Sequence, residues 1–396
     1  MKFLRNIYKK AHPHFAEGGK LSRFFPFFEA VDTLTFWTDE QTKSGPHIRD
    51  SLDLKRTMII VLVALIPTTI FGIINTGYQQ ALAIDSSIVL TMELLFKYFW
   101  VGFQSYLPIM VVGYATGFFW ELLFPIIRKQ EVDEGFFVTG WLIPLILPPT
   151  IPLWQVVVAT SFGMVIGKMI FGGTGMNIFN PALVTRAFLF FAYPGNISGD
   201  EVWVKAVDGF SGATPLAVPA AQTGGDAVTL LNGFQQFDYS WLNMFIGWIP
   251  GSVGETSALA ILIGAAILIY TKIGSWRIIA GSVIGLVLTA FVTNYFAGYS
   301  TNTMLTLPAH YHLVMGGFLF GTVFMATDPV SAAYTNRGRW IYGFMIGFLT
   351  VIIRSMNPAY PEGTMLAILL MNAFAPLIDY FVVKGNIKKR MARYAK

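Results

Sequence analysis

The chain has 396 residues, 54% of them hydrophobic and only 12% charged, with a mean hydropathy of +0.58. A soluble domain of this size carries about twice that charged fraction, so a water-soluble globular protein is excluded. The net charge is +5 and cysteine is absent, which excludes disulfides, thiolate-held iron–sulfur clusters and Cys-attached haem on this chain. The five histidines (His12, His14, His47, His310 and His312) offer no facing pair for a bis-His haem. Any redox cofactor must therefore be organic or be held by another subunit.

Residues 1–56 form a basic arm, in which Phe24, Phe25, Phe27, Phe28, Phe36 and Trp37 stand among Lys20, Arg23 and Lys43. Such a mixture suits the surface of an anionic lipid leaflet. It holds no apolar h-region, so no cleaved signal is expected. Ten apolar segments follow, at 57–75, 105–126, 136–147, 154–170, 178–193, 255–270, 276–296, 311–327, 340–356 and 363–380. The third is too short to cross, at about 18 Å against a hydrocarbon core of about 30 Å. It runs into Pro148, Pro149 and Pro152, and a broken helix at membrane depth marks a protein-lined site. Residues 57–193 make a first membrane half, 194–254 an outer loop, 255–380 a second half and 381–396 a basic tail.

The distribution of basic residues sets the orientation. Ten Lys/Arg precede the first segment and six follow the last, while Arg128, Lys129, Lys168, Lys272, Arg277, Arg337 and Arg339 fall in loops of the same side. That places 23 of 27 on one side, leaving Lys97, Lys205, Arg186 and Arg354 for the spans or the outer face. By the positive-inside rule both termini are cytoplasmic and the protein is a multi-pass protein of a bacterial inner membrane. The expected fold is an all-α polytopic membrane protein with about ten transmembrane helices, broken half-helices and a five-plus-five repeat. The repeat is suggested by Phe171-Gly172-Gly173 followed by Asn180-Pro181-Ala182, set against Phe320-Gly321-Thr322 followed by Asp328-Pro329-Val330. Trp154 and Trp276 open the preceding spans.

Three constellations carry chemistry. The outer loop holds Asp208-Gly209-Phe210-Ser211-Gly212-Ala213-Thr214-Pro215, whose small residues allow another enzyme close approach to the Thr214 hydroxyl. The same residue types also make ordinary solvated loops. In the Gly172–Asn180 segment, Thr174, Asn177 and Asn180 can hydrogen-bond a flat heteroaromatic ring, or Asn180 before Pro181 can be a plain helix cap. Glu134, Asp328 and Asp379 lie near the inner ends of spans three, eight and ten. They are either hydrated at the interface or hard oxygen ligands for a cation such as Na⁺. Arg186, about two turns into span five, is a further intramembrane charge that either pairs with a carboxylate or lies beside a cofactor. The rings of Phe188, Phe190, Phe191 and Tyr193 read as packing. No Rossmann glycine pattern follows a strand, so NADH is not expected to bind here.

Asp-x-x-Ser-Gly-Ala-Thr resembles the acceptor motif at which flavin transferases join FMN to a threonine through its phosphate. Nearly the whole chain is similar to the family that contains the B subunit of sodium-translocating NADH:quinone reductase and the D subunit of the Rnf complex. The matching segments are Phe171-Gly-Gly-Thr-Gly-Met-Asn-Ile-Phe-Asn-Pro-Ala182, Arg186-Ala-Phe-Leu-Phe-Phe-Ala-Tyr193 and Ile249-Pro-Gly-Ser-Val-Gly-Glu255. Met325-Ala-Thr-Asp-Pro-Val-Ser331, Asn357-Pro-Ala-Tyr-Pro-Glu-Gly363 and the tail around Asn386 extend the match. Met176 departs from it, standing where the family pattern has arginine. The resemblance implies covalent FMN on Thr214, with Asp208, Ser211, Gly212 and Ala213 as its motif. It also implies non-covalent riboflavin at Thr174, Asn177 and Asn180, and Na⁺ uptake involving Glu134, Asp328 and Asp379. Electrons would run from outer FMN through riboflavin to quinone, coupled to Na⁺ export. Implied partners are the other reductase subunits, a flavin transferase, quinone, Na⁺ and membrane lipid, with no nucleic acid. The 56-residue arm favours the quinone reductase over the Rnf type. A non-redox channel or transporter, which also uses broken helices and repeated halves, is the alternative from another class.

Overall fold

A computed structural model describes residues 2–16, 18, 19, 21–25, 28, 45, 54–85, 88, 91–128, 135–205, 210–357 and 360–394. Among these residues there is no strand, only one isolated bridge between Thr223 and Asn302. Six helices are long and apolar enough to cross a membrane, so the chain is an all-helical multi-pass membrane protein.

The amphipathic helix α1 (Lys2–Phe15) leads the chain. Helix α2 (Leu54–Ile84) runs on past the predicted 57–75, and α3 (Leu95–Arg128) starts well before the predicted 105. The underestimate has a physical cause: polar side chains here satisfy themselves within the membrane. Beyond residue 75 of α2, Gln79 donates to Asn75, and Gln80 donates to Ser105 of α3. A hydropathy reading counts those residues as breaks, whereas the folded helix does not.

The short segments come next. Helix α4 (Phe136–Leu145) is the expected half-helix, and α5 (Leu153–Gly167) continues through a 3₁₀ turn to Phe171. Helix α6 (Pro181–Ala192) has 12 residues, about 18 Å at about 1.5 Å per residue, and does not cross alone. The segment 178–193 is thus a second short helix and not a full span. Three small helices follow in the 194–254 region: α7 (Ala217–Ala220), α8 (Ala227–Asn232) and α9 (Trp241–Ile246). Helix α10 (Ala258–Tyr270), with 13 residues, is also short, while α11 (Trp276–Phe296) is full length.

The segment expected as one span at 311–327 is broken. It comprises α12 (Ala309–Val314), a turn through Gly316 at φ +63°, and α13 (Phe318–Phe320), which runs into a π-helical turn at Gly321–Met325. A π turn leaves backbone groups out of the regular ladder and is frequent at functional sites. Helices α14 (Asn336–Met356) and α15 (Thr364–Tyr394) complete the chain.

The half-helices meet head to head in the middle of the bundle. Gly254 N–H donates to the Leu145 carbonyl at 2.8 Å, closing the C-terminal end of α4. A Cβ on Gly254 would sit 2.8 Å from Leu145 Cβ and 3.1 Å from Phe320 Cε2, so the three segments touch there. Ile143, Leu145, Phe320, Val323 and Ile368 are fully buried around this junction.

Helices α11 and α14 are joined along a glycine seam. A Cβ on Gly347 would lie 2.0 Å from the Ser282 carbonyl oxygen, and one on Gly285 would lie 2.1 Å from that of Phe344. Small residues let two backbones approach in lipid, where packing rather than hydrophobicity holds helices together. Gly347→Leu is therefore expected to force the pair apart, at a cost of about 1–3 kcal/mol or more. Thermal unfolding in detergent checks this, since an unchanged midpoint would contradict the seam.

Candidate functional site

Thr214 sits at the mouth of a cavity shared with Arg186, Phe190, Trp203, Tyr360 and Glu362. The loop leading to it is fixed by Asp200. Ser211 Oγ donates to Asp200 Oδ2 at 2.9 Å, and Gly212 N–H donates to the Asp200 carbonyl at 2.6 Å. Gly212 is required for this approach, because a Cβ there would meet the same carbonyl at 3.0 Å. The Ala213 carbonyl accepts from Tyr239 Oη, whose burial pushes the phenol well above the ordinary tyrosine range and keeps it a donor. Thr214 itself is half-buried, and its hydroxyl oxygen only accepts a long 3.3 Å bond from Ala217 N–H. Four of the predicted motif residues are thus held in one rigid turn, with Thr214 aimed at a cavity. Asp208 lies outside the described residues.

Two residues of the cavity lining, Arg186 and Glu362, belong to a buried charge cluster. Arg186 is 2% exposed; its Nη1 donates to Glu255 Oε1 at 2.7 Å and its Nη2 to Glu362 Oε2. Glu255 also accepts from Ser252 Oγ and lies against Gly317 at the start of α13. Arg354 is fully buried and donates to the carbonyls of His312 at 2.7 Å, Met315 at 2.8 Å and Glu362 at 3.1 Å. Ionic groups at membrane depth persist when paired, and here each has a partner.

At the other end of α6 lies a second cavity, which brings together Thr174, Asn177, Asn180 and Asp328 with Thr139 and Lys168. Asn180 is the N-cap of α6, accepting from Ala182 N–H at 3.0 Å and Leu183 N–H at 3.4 Å, with Pro181 at the first position. The cap predicted from the Asn-Pro pair is therefore present, and the residue also faces the cavity. Asn177 Nδ2 donates to the Phe179 carbonyl at 2.9 Å. Thr174 Oγ1 is buried with no hydrogen-bond partner among the described residues, and it fits against Gly135, where a Cβ would meet it at 3.0 Å. A buried hydroxyl without a partner marks a place for a ligand atom. Gly172, Gly173 and Gly175 take φ of +123°, +108° and +87°, which lets the loop wrap this close. Met176 is exposed.

Asp328 closes a local turn, accepting from Val330 N–H at 3.1 Å and Ser331 Oγ at 2.9 Å. Asp379 is not brought into this cavity. It accepts from Tyr334 N–H, Thr335 N–H and Thr335 Oγ1, anchoring α15 to the first turn of α14. Glu134 lies outside the described residues, next to Gly135 of the cavity wall. Among the described residues no group of three or more His, Asp or Glu side chains could hold a metal ion.

Lys168 departs from its expected place. It is no solvated loop cation: it is 2% exposed, and its Nζ lies 2.9 Å from both carboxylate oxygens of Glu121. Arg186 does pair with carboxylates, but its partners Glu255 and Glu362, and the Lys168–Glu121 pair, were not identified from the sequence, since the members are 69, 176 and 47 residues apart. Glu255 and Glu362 do lie within the segments that carry the family resemblance, which was the available signal. Asp200 gave none. Phe188 stacks on Phe162, as packing requires, but Phe190 also lines the Thr214 cavity.

A sequence model described as the NQR2, RnfD, RnfE family matches residues 41–388. A relative from Chromohalobacter salexigens, the B subunit of a Na(+)-translocating NADH-quinone reductase, is 52% identical over 99% of this chain and 97% of its own length. Proteins of the same description from Yersinia pestis and Ectopseudomonas mendocina are 48% and 49% identical, each over 98% of this chain and 99% of their own. Matched nearly end to end by such relatives and by the family pattern, the chain belongs to the NQR2, RnfD, RnfE family.

Proposed function

We propose that this chain is the flavin-carrying membrane subunit of a Na⁺-translocating NADH:quinone reductase. The observation that carries the reading is a pair of cavities at the two ends of α6, one presenting Thr214 and the other Asn177 and Asn180. FMN esterified to Thr214 and riboflavin in the second cavity would supply electron carriers toward the two membrane faces, delivering electrons to quinone with Na⁺ export. Both fit the residues present. Thr214 offers a weakly engaged hydroxyl beside the aromatic walls of Trp203, Phe190 and Tyr360, and Thr174 offers an unpartnered one beside two amide side chains.

The work of this chain is positional. The Asp200 and Tyr239 hydrogen bonds hold Thr214 where a flavin transferase can reach it, and the Asn180 cap fixes the second cavity on the rigid start of α6. Leu142 and Phe324 in the cavity wall, backed by the buried Leu145 and Phe320, keep the space between the two ends dry. Asp328 supplies carboxylate oxygen at the second cavity, with Glu134 and Asp379 as further acids of an Na⁺ path. The basic tails support a cytoplasmic location for both termini. The five-plus-five repeat, which pairs the Phe171–Ala182 segment with the Phe320–Val330 segment, is part of the same proposal. The relatives of near half identity named above are quinone reductase subunits, which favours that type over the Rnf type.

The test is in-gel flavin fluorescence of the denatured chain, wild type beside Thr214→Ala, both produced with a flavin transferase. Fluorescence in the wild type and its loss in Thr214→Ala are expected, with the same thermal midpoint for both. A dark wild-type band would overturn the reading and favour a channel, for which the broken helices are also suited.

A further inference from the structure

The two carboxylates that hold Arg186 face different spaces. Glu255 has a side chain 4% exposed, is pinned by Ser252 and abuts the α4–α13 junction without reaching the Thr214 cavity. Glu362 is 16% exposed and lines the same cavity as Thr214. It cannot withdraw. Its backbone carbonyl accepts from Arg354 Nε at 3.1 Å and from Thr364 N–H at 2.7 Å, while its carboxylate is tied to Arg186.

We propose that Glu362 is a positioning residue for the group on Thr214: it offsets Arg186 in the cavity lining and thereby holds down the reduction potential of a flavin attached there. The inference rests on the reading of Thr214 as the attachment site and goes beyond it, by assigning the residue that tunes the attached group. Arg186 and Arg354 against Glu255 and Glu362 sum to zero charge. Removing the Glu362 charge leaves one positive charge uncompensated, and it does so on the side that faces the cavity. Reduction adds negative charge to the flavin, and a positive lining in a poorly screened site favours that form. Glu255 is shielded from the cavity by Arg186 itself, so neutralising it acts from farther away. The arrangement therefore predicts an asymmetry between two glutamates that a purely structural ion pair would not show.

The experiment is an electrochemical titration of the full chain, purified with covalent flavin and followed by flavin absorbance. Glu362→Gln is expected to move the reduction equilibrium at least tenfold toward the reduced form, an upward shift of about 59 mV for a one-electron couple. Glu255→Gln should move it less. Arg186→Lys, which keeps the charge, should stay near wild type. Ser198→Asp, on the wall of the same cavity and outside the buried cluster, should lower the potential; it provides a second reading should Glu362→Gln not fold. An unmoved potential in Glu362→Gln or in Ser198→Asp, or equal shifts from the two glutamates, overturns the inference. A wild-type chain that carries no covalent flavin sinks the Thr214 reading and this inference with it. A fluorescent chain whose potential ignores Glu362 sinks this inference alone.

Discussion

Arg186→Ala is expected to lower stability by about 3–5 kcal/mol, the cost of breaking a buried ion pair by removing one partner. Here the cost should fall at the upper end, because the single guanidinium serves two acids. Without it, Glu255 and Glu362 face each other, one of them almost wholly buried, and each loses a charge-assisted hydrogen bond. The damage is placed where it spreads. Glu255 belongs to the segment that closes α4 through Gly254, and Glu362 opens the turn into α15. The measurement is the thermal midpoint of the purified chain in detergent, together with its monodispersity on size exclusion. Adding Glu255→Gln to Arg186→Ala should recover much of the loss, since it leaves Arg354 against Glu362 and removes the uncompensated negative charge that the single change leaves. A wild-type midpoint for Arg186→Ala alone would mean that the cluster does not hold the junction.

What the sequence could and could not give follows from the range of each interaction. Local signals came through. Asn180-Pro181 capped a helix, and the proline cluster after α4 ended a half-helix. Each depends on residues within a few positions of one another. The run of α2 past residue 75 was missed because hydrogen bonds from Gln79 to Asn75 and from Gln80 to Ser105 satisfy polarity that hydropathy counts in full. The break at Met315–Gly317 was missed for the opposite reason. Its residues are apolar or small, so nothing in their hydropathy distinguishes a turn between two short helices from one continuous span. The charge pairs were out of reach, since no local pattern says which of several acids meets Arg186. Lys168 was assigned to a loop because a lysine between apolar segments is most often one.

Lys168→Ala is the second change expected to act strongly, again by about 3–5 kcal/mol, because it leaves Glu121 buried without its lysine. It should also act on binding. Lys168 follows the last residue of α5 and belongs to the wall that carries Thr174, Asn177 and Asn180, where it is the cation of the lining. Loss of its charge is expected to deplete non-covalent flavin from the purified chain while leaving the covalent fluorescence of Thr214, at the far end of α6, in place. The double change Lys168→Met with Glu121→Gln separates the two effects. It removes both buried charges and preserves side-chain bulk, so the thermal midpoint should return toward wild type. Extractable flavin should stay low, because the ammonium group that would face the ligand is still missing. If the double variant regains its flavin along with its stability, the lysine serves the fold alone, and the polar groups on the α6 cap and the Gly172–Gly175 loop suffice for binding. If stability returns and flavin does not, Lys168 belongs to the site as well as to the helix pair that supports it.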